Sequence, residues 1–276
     1  MKKACVIGWP IEHSRSPMIH GHWLQIYGID GAYTKEPVQP EDLETFLKSL
    51  AANGFAGCNV TVPHKEAAYR LAGVRHASAN AVGAANTLWH DHGKLVAANT
   101  DTYGYMTYLE TCYPDWQMPD APVSILGAGG AARAIVYGFL KAGVSEVRIF
   151  NRSAARAHEL ARQLGSYVKV FDWDERSTAS TTSCVVVNTT TLGMKGEGDT
   201  GLEVALLNRA CIVSDIVYVP LETALLARAR SRGLRTLDGL GMLLHQAVPG
   251  FETWFGVTPE VTGALFQLVA HEIEAR

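Results

Sequence analysis

No stretch of this chain approaches the ~18 consecutive apolar residues that a membrane-spanning helix needs, although 47% of its 276 residues are hydrophobic. The basic start Met1-Lys2-Lys3 is followed by an apolar run that Pro10 and Glu12 cut short, too early for the core of a secretory signal. Cysteine is scarce. Cys5, Cys58, Cys112, Cys184 and Cys211 are odd in number, scattered, and form no CxxC. That argues against a disulfide framework and leads to the expectation of a reduced, cytoplasmic protein with mostly buried thiols. An excess of one charge is lacking too. The 24 Lys and Arg against 27 Asp and Glu leave a net charge of −3, so neither nucleic acid nor an anionic membrane is expected as a partner. His90 and His92 form an HxH, but at a hairpin tip without a third ligand nearby, and no metal is expected. Low-complexity segments and tandem repeats are absent. The length suits one large domain or two of moderate size.

What is present centres on Val123-Ser124-Ile125-Leu126-Gly127-Ala128-Gly129-Gly130-Ala131-Ala132. An apolar strand runs into a glycine turn and an Ala-rich helix, and Gly127-x-Gly129-x-x-Ala132 fits the dinucleotide fingerprint. The first glycine permits the tight turn, the second lets the backbone approach a pyrophosphate, and Ala132 lets helix and strand pack closely. The helix N-terminus offers N–H groups and partial positive charge to phosphate. Strands predicted at 123–126, 147–150, 168–171, 184–188, 212–216 and 234–237 alternate with helices at 131–142, 154–164, 203–207 and 222–232, which predicts a parallel sheet with crossover helices.

After the second of these strands, an NAD site would carry an acid for the ribose hydroxyls. Here Asn151-Arg152-Ser153-Ala154-Ala155-Arg156 has none. Two guanidinium groups suit a 2′-phosphate instead, and favour NADP. The plainer reading makes Ser153 an N-cap beside two solvated arginines. Thr189 and Met194 follow the fourth strand and Ile216 and Tyr218 the fifth, at the ligand edge. Met194 is equally suited to packing on a nicotinamide ring and to filling core.

The first hundred residues read differently. Ser16 before Pro17 predicts an N-cap for a helix over 18–27, which leaves Ser14 without capping duty and open to a ligand. A helix is predicted over 39–52 and a strand over 55–62, with Asn59 and Thr61 on one face. Lys65 falls in the first turn of the next helix, where the dipole disfavours a cation. It is either a solvated surface lysine or a group whose proton the site uses. Residues 85–101 read as a β-hairpin turning at Asp91-His92-Gly93-Lys94, which brings Asn86 and Asn99-Thr100-Asp101 to the same end of a sheet. Prolines at 114, 119 and 122 mark a linker, with a domain boundary near residue 102. Gly239 and Gln246 lie on a helix that begins after Asp238, where Gln246 has no core duty. A last helix is predicted over 258–275, capped at Thr258. Both are expected to return to the first domain.

Ser14-Arg15-Ser16-Pro17, Asn59-Val60-Thr61-Val62-Pro63-His64-Lys65, Gly83-Ala84-Ala85-Asn86-Thr87, Asn99-Thr100-Asp101, the glycine turn, Asn151-Arg152-Ser153, Asp215-Ile216-Val217-Tyr218-Val219-Pro220 and the Gln246 helix together resemble the shikimate dehydrogenase family, over nearly the whole chain. The resemblance implies NADPH-dependent reduction of 3-dehydroshikimate to shikimate, on the route to chorismate and the aromatic amino acids. It implies a two-domain α/β protein with a cleft between the domains: a substrate domain of 1–101 plus 240–276 and a Rossmann-like NADP-binding domain of 102–239. Carried over by position, Lys65 and Asp101 are the catalytic pair. Ser14, Ser16, Thr61, Asn86, Tyr218 and Gln246 hold the substrate. Gly127, Ala128, Gly129, Gly130, Ala131, Asn151, Arg152, Ser153, Arg156, Thr189, Met194, Ile216 and Gly239 hold the cofactor. Family members include monomers and homodimers, and relatives accept quinate. A broader quinate/shikimate dehydrogenase and a non-catalytic NADP-binding paralogue therefore stay open. Two departures stand out: Ala85 replaces a common valine, and Arg75-His76-Ala77-Ser78 stands where an acid often follows the lysine.

Overall fold

A computed structural model describes residues 1–275. The chain divides into two compact units, Met1–Asp101 with Leu244–Val269, and Thr102–Leu243 with residues 270–275. The sequence reading differs at the edges, having assigned 240–276 whole to the first unit.

The first unit runs β1 (Lys2–Gly8), α1 (Ser16–Ile26), β2 (Gly31–Pro37), α2 (Leu43–Ser49), β3 (Phe55–Val60), α3 (Lys65–Leu71), β4 (Val74–Arg75), α4 (Ala77–Val82), β5 (Thr87–Asp91) and β6 (Lys94–Ala98). Its sheet has the order β2-β1-β3-β5-β6-β4. The first three strands are parallel, and β5 turns antiparallel to both β3 and β6. His92 and Gly93 form the β5–β6 turn, both at positive φ, as a two-residue hairpin requires. One face of the sheet buries Ile7, Leu47, Leu50, Val60 and Leu88. An aromatic group of His20, Trp23, Tyr33, Phe251 and Trp254 packs elsewhere in the unit. The Trp254 indole donates to the Leu88 carbonyl at 3.1 Å, tying the late helix to the central strands.

The second unit begins along α5 (Asp101–Cys112) and continues β7 (Val123–Leu126), α6 (Gly130–Lys141), β8 (Val147–Phe150), α7 (Ala154–Leu164), β9 (Val168–Phe171), β10 (Val185–Asn188), β11 (Ile212–Asp215), α8 (Ala224–Ser231) and β12 (Arg235–Leu237). The chain then forms α9 (Gly239–His245), α10 (Val248–Phe255) and α11 (Gly263–Glu274). All six strands are parallel, in the order β12-β11-β10-β7-β8-β9. This is a doubly wound sheet whose order reverses between β7 and β10. Val123, Ile125, Val185 and Val187 face one core, and Leu126, Phe150, Val186 and Val213 face another. Burial on both faces is why β10 opens on Val185-Val186-Val187 and why β7 is apolar but for the buried Ser124.

Several expected boundaries are corrected. Ser16 does not cap α1. It is the first helical residue, Arg15 takes the cap position, and no side chain caps there. The Ser14 hydroxyl instead accepts the Ser16 N–H at 3.3 Å. The predicted 39–52 helix is a 3-10 turn at Pro40–Asp42 followed by the shorter α2. The strand predicted over 55–62 stops at Val60, though the Thr61 N–H still reaches the Ile7 carbonyl at 3.0 Å. The short helix predicted over 203–207 is a 3-10 turn at Val204–Leu206. The helix after Asp238 is two, α9 and α10. The last helix starts at Gly263, with the Thr262 hydroxyl accepting from the Leu265 N–H at 3.3 Å, while Thr258 bonds the Glu252 carboxylate.

Candidate active site

Lys65 opens α3 behind a braced turn. His64, buried at the cap position, donates a ring N–H to the Val38 carbonyl at 2.7 Å. The Lys65 carbonyl accepts the Ala85 N–H at 2.9 Å, which fixes the start of α3 against the segment that carries Asn86. Asp101 opens α5, where an acid suits the dipole, and its N–H is taken by the Asn99 side chain at 3.0 Å. The antiparallel register Asn59↔Thr87↔Ala98 sets the end of β3, the start of β5 and the end of β6 side by side. There the Lys65 ammonium lies 2.9 Å from Asp101 Oδ2. Asn86 Nδ2 donates to the other oxygen at 2.8 Å. The Asn86 Oδ1 accepts the Thr100 N–H at 2.9 Å and the Thr100 hydroxyl at 3.1 Å, and that hydroxyl is also 3.5 Å from Gln246 Oε1. Lys65 is therefore not a free surface cation. Its mismatch with the helix dipole is answered by a carboxylate.

Lys65, Asp101, Asn86 and Thr100 are thus linked in one hydrogen-bonded group of the first unit, and Gln246 Oε1 lies beside the Thr100 hydroxyl. Ser14 and Ser16 form a second pair, Ser14 half-buried and Ser16 buried. Thr61 follows β3, half-buried, with its carbonyl accepting the His64 N–H at 2.9 Å. Tyr218 is half-buried in the second unit, after β11.

In the second unit, Gly127 follows β7 at φ +115°, and a Cβ there would come within 2.5 Å of the Thr189 hydroxyl. Thr189 follows β10, so these two residues mark the point where the strand order reverses, the usual ligand crevice of such sheets. A Cβ on Gly129 or Gly130 would meet nothing within 4 Å, and no side chain caps the 12-residue α6. Ala128 and Ala131 are half-buried in the same turn. The turn thus leaves an unobstructed helix N-terminus, and its residues fit a dinucleotide pyrophosphate. Asn151 follows β8 and donates to the Ser153 carbonyl at 2.8 Å. Ser153 holds the cap position of α7 without a side-chain cap bond, which corrects the simple capping reading. Arg152 and Arg156 are exposed. Met194 is 43% exposed, so it does not fill core. Gly239 is buried, and a Cβ there would overlap the Ile216 carbonyl, which brings those two positions into backbone contact.

Two residues beside the candidate sites are given no role by the sequence alone. Thr100 fixes the Asn86 amide; its signal was the hairpin register, which predicts a shared edge but not a partner. Asp215 is buried, accepting from Asn188 Nδ2 at 2.9 Å, the Val217 N–H at 3.0 Å and the Thr223 hydroxyl at 2.8 Å. Burial pushes its carboxyl up to about 6 although these hydrogen bonds pull it down. Between the ordinary aspartate value near 4 and 6, the native state holds a proton that the unfolded chain has lost. Stability therefore falls as pH rises through that window and levels off above it. Urea unfolding from pH 4 to 7 is expected to show this fall in the wild type and to lose about 2 kcal/mol of it in Asp215→Asn. Parallel pH curves for the two proteins would contradict the assignment.

Among known proteins, residues 6–88 match the shikimate dehydrogenase substrate binding domain, 113–193 the shikimate / quinate 5-dehydrogenase family, and 239–263 the shikimate 5'-dehydrogenase C-terminal domain. A shikimate dehydrogenase (NADP(+)) of Brucella abortus (strain S19) is 51% identical over 96% of this chain and 92% of its own. The shikimate 5-dehydrogenase of Thermus thermophilus, solved in complex with NADP(H) and shikimate, superposes with a TM-score of 0.87 at 30% identity, covering 99% of this chain and 100% of that one. A quinate dehydrogenase from Corynebacterium glutamicum, solved in complex with NAD, gives 0.90 at 29% identity over 98% and 99%.

Proposed function

The chain belongs to the shikimate dehydrogenase family, and from that premise we propose that it reversibly reduces 3-dehydroshikimate to shikimate with NADPH, using Lys65 and Asp101 at the reacting oxygen. This is the NADP-dependent oxidoreduction of a CH–OH group that leads toward chorismate and the aromatic amino acids. The observation that carries the reading is the Lys65–Asp101 pair at 2.9 Å. NADPH, when bound, supplies the hydride. Hydride addition to a carbonyl leaves negative charge on oxygen, and a positioned cation that can also give up a proton meets both needs. In the reduction Lys65 hands its proton to the C3 oxygen; in the oxidation it takes that proton back. Asp101 holds the ammonium and accepts from a ring hydroxyl. Ser14, Ser16, Thr61, Asn86, Tyr218 and Gln246 complete the substrate side. Hydroxyls and amides suit a polyol ring, because an analogue lacking a hydroxyl leaves them unpaired. Gly127 to Ala131, Asn151 to Ser153, Arg156, Thr189, Met194, Ile216 and Gly239 serve the cofactor, with the two arginines at the 2′-phosphate.

Absorbance at the nicotinamide band, with shikimate or quinate and NADP⁺ or NAD⁺ in all four combinations, tests the reading. Shikimate with NADP⁺ is expected to lead in kcat/KM by at least about tenfold. Quinate with NAD⁺ in first place would make the protein a quinate dehydrogenase. Silence in every combination would leave it a binding protein.

A further inference from the structure

Asn86 orients Asp101, and Asn86 is itself oriented by groups deeper in the first unit. Asn59 Nδ2 lies 3.1 Å from the Asn86 main-chain carbonyl, which can only accept. The Asn59 NH2 must therefore face it, and Asn59 Oδ1 faces Tyr33. The phenol, 2.6 Å away, is then obliged to donate. The same NH2 donates toward Thr87 Oγ1 at 3.4 Å, and Thr87 gives its single proton to Asn86 Oδ1 at 2.9 Å. Flipping the Asn86 amide would set its NH2 against the Thr100 N–H and its oxygen against the Asp101 carboxylate, so its NH2 stays on Asp101. Tyr33, Asn59, Thr87 and Asn86 are all buried. The Tyr33 ring is stacked on the fully buried His20, centroids 3.9 Å apart and planes within 5°, which restrains the direction of its hydroxyl.

We propose that Tyr33 and Thr87 are positioning residues for the reaction: a one-way hydrogen-bond relay from the Tyr33 phenol through Asn59 and Thr87 holds the Asn86 amide, and through it the Asp101 carboxylate, in the orientation that meets Lys65. The proposal rests on reading Asp101 as catalytic. Bonds that all point one way polarise one another, and a buried partner left unmatched is costly. Neither Tyr33 nor Thr87 touches Lys65 or Asp101; beside the relay, Tyr33 bonds the Ser16 side chain and the Thr87 hydroxyl lies 3.4 Å from that of Thr100.

Two substitutions at one position separate this from plain packing. Thr87→Val keeps the shape and removes the hydroxyl; Thr87→Ser keeps the hydroxyl and removes a methyl. Thr87→Val is expected to lower kcat for shikimate oxidation about tenfold with the KM for NADP⁺ unchanged, and Thr87→Ser to stay within about twofold of the wild type. Tyr33→Phe is expected to lower kcat about threefold. A packing role reverses the order at Thr87, with valine neutral and serine deficient, and that result overturns the relay. Should Thr87→Val not fold, a folded Tyr33→Phe enzyme with wild-type kcat overturns it as well. Asp101→Asn, measured alongside, tells the two failures apart. If it retains activity, the catalytic reading of Asp101 falls and the proposal with it. If it is inactive while Thr87→Val is normal, the relay alone is wrong.

Discussion

Replacing Lys65 by alanine is expected to lower kcat by about 10²–10⁴, the usual worth of a positioned acid–base group, in both directions of the reaction. The side chain is 33% exposed and begins a helix, so its removal opens no core cavity. Asp101 keeps the Asn86 donor at 2.8 Å and is not stranded without a partner. The KM for either substrate should change far less than kcat, because the hydroxyl and amide groups that recognise the ring remain. Lys65→Arg is the sharper control. It preserves the positive charge but cannot release a proton at working pH. If charge alone sufficed, the arginine enzyme would recover most of the rate; we expect it to stay within about tenfold of the alanine enzyme. A Lys65→Ala protein with kcat near the wild type would remove the lysine from the reaction altogether.

How much of this could be read from residues alone depended on the range of the forces involved. The second unit was legible almost strand by strand. The parallel sheet leaves short β-branched and apolar stretches at 123–126, 147–150 and 168–171, interrupted only at Ser124, Arg148 and Lys169, and β7, β8 and β9 fall on them. Errors came where tertiary contacts overrule local signals. Proline is tolerated throughout the first helical turn, so Ser16-Pro17 did not say which residue was the cap; α1 begins at Ser16, two residues before the predicted start at 18, and Ser16 is buried. Thr258-Pro259-Glu260 looks like a helix start, yet the Trp23 indole binds the Glu260 carbonyl at 3.0 Å and the Tyr27 hydroxyl accepts the Glu260 N–H at 3.1 Å. Those partners lie more than 230 positions away, and no window sees them. The site divides in the same way. Lys65 declared itself by sitting at the wrong end of a helix dipole. Its partner, 36 positions later, is brought to it by the β5–β6 hairpin register, and the residues alone supplied only the shared edge. The pairing itself came from the family resemblance.

The double substitution Arg152→Ala with Arg156→Ala is expected to raise the KM for NADP⁺ by roughly 10–100-fold and to leave the KM for NAD⁺ within about threefold, as the loss of charge-assisted hydrogen bonds predicts. The two arginines stand in the stretch after β8, where no Asp or Glu is present between Asn151 and His158. Both are exposed, so their removal should cost the fold little. Ser153 makes no side-chain cap bond, and its hydroxyl has no helical duty that would compete with a phosphate. A 2′-phosphate is the one group by which the two cofactors differ, so an effect confined to NADP⁺ assigns the guanidinium groups to it. Adding Asn151→Asp should then push the preference over to NAD⁺, since a carboxylate accepts from ribose hydroxyls and repels a phosphate. Equal losses with both cofactors would instead mean that the arginines shape the turn, and the ground for preferring NADP at this site would be gone.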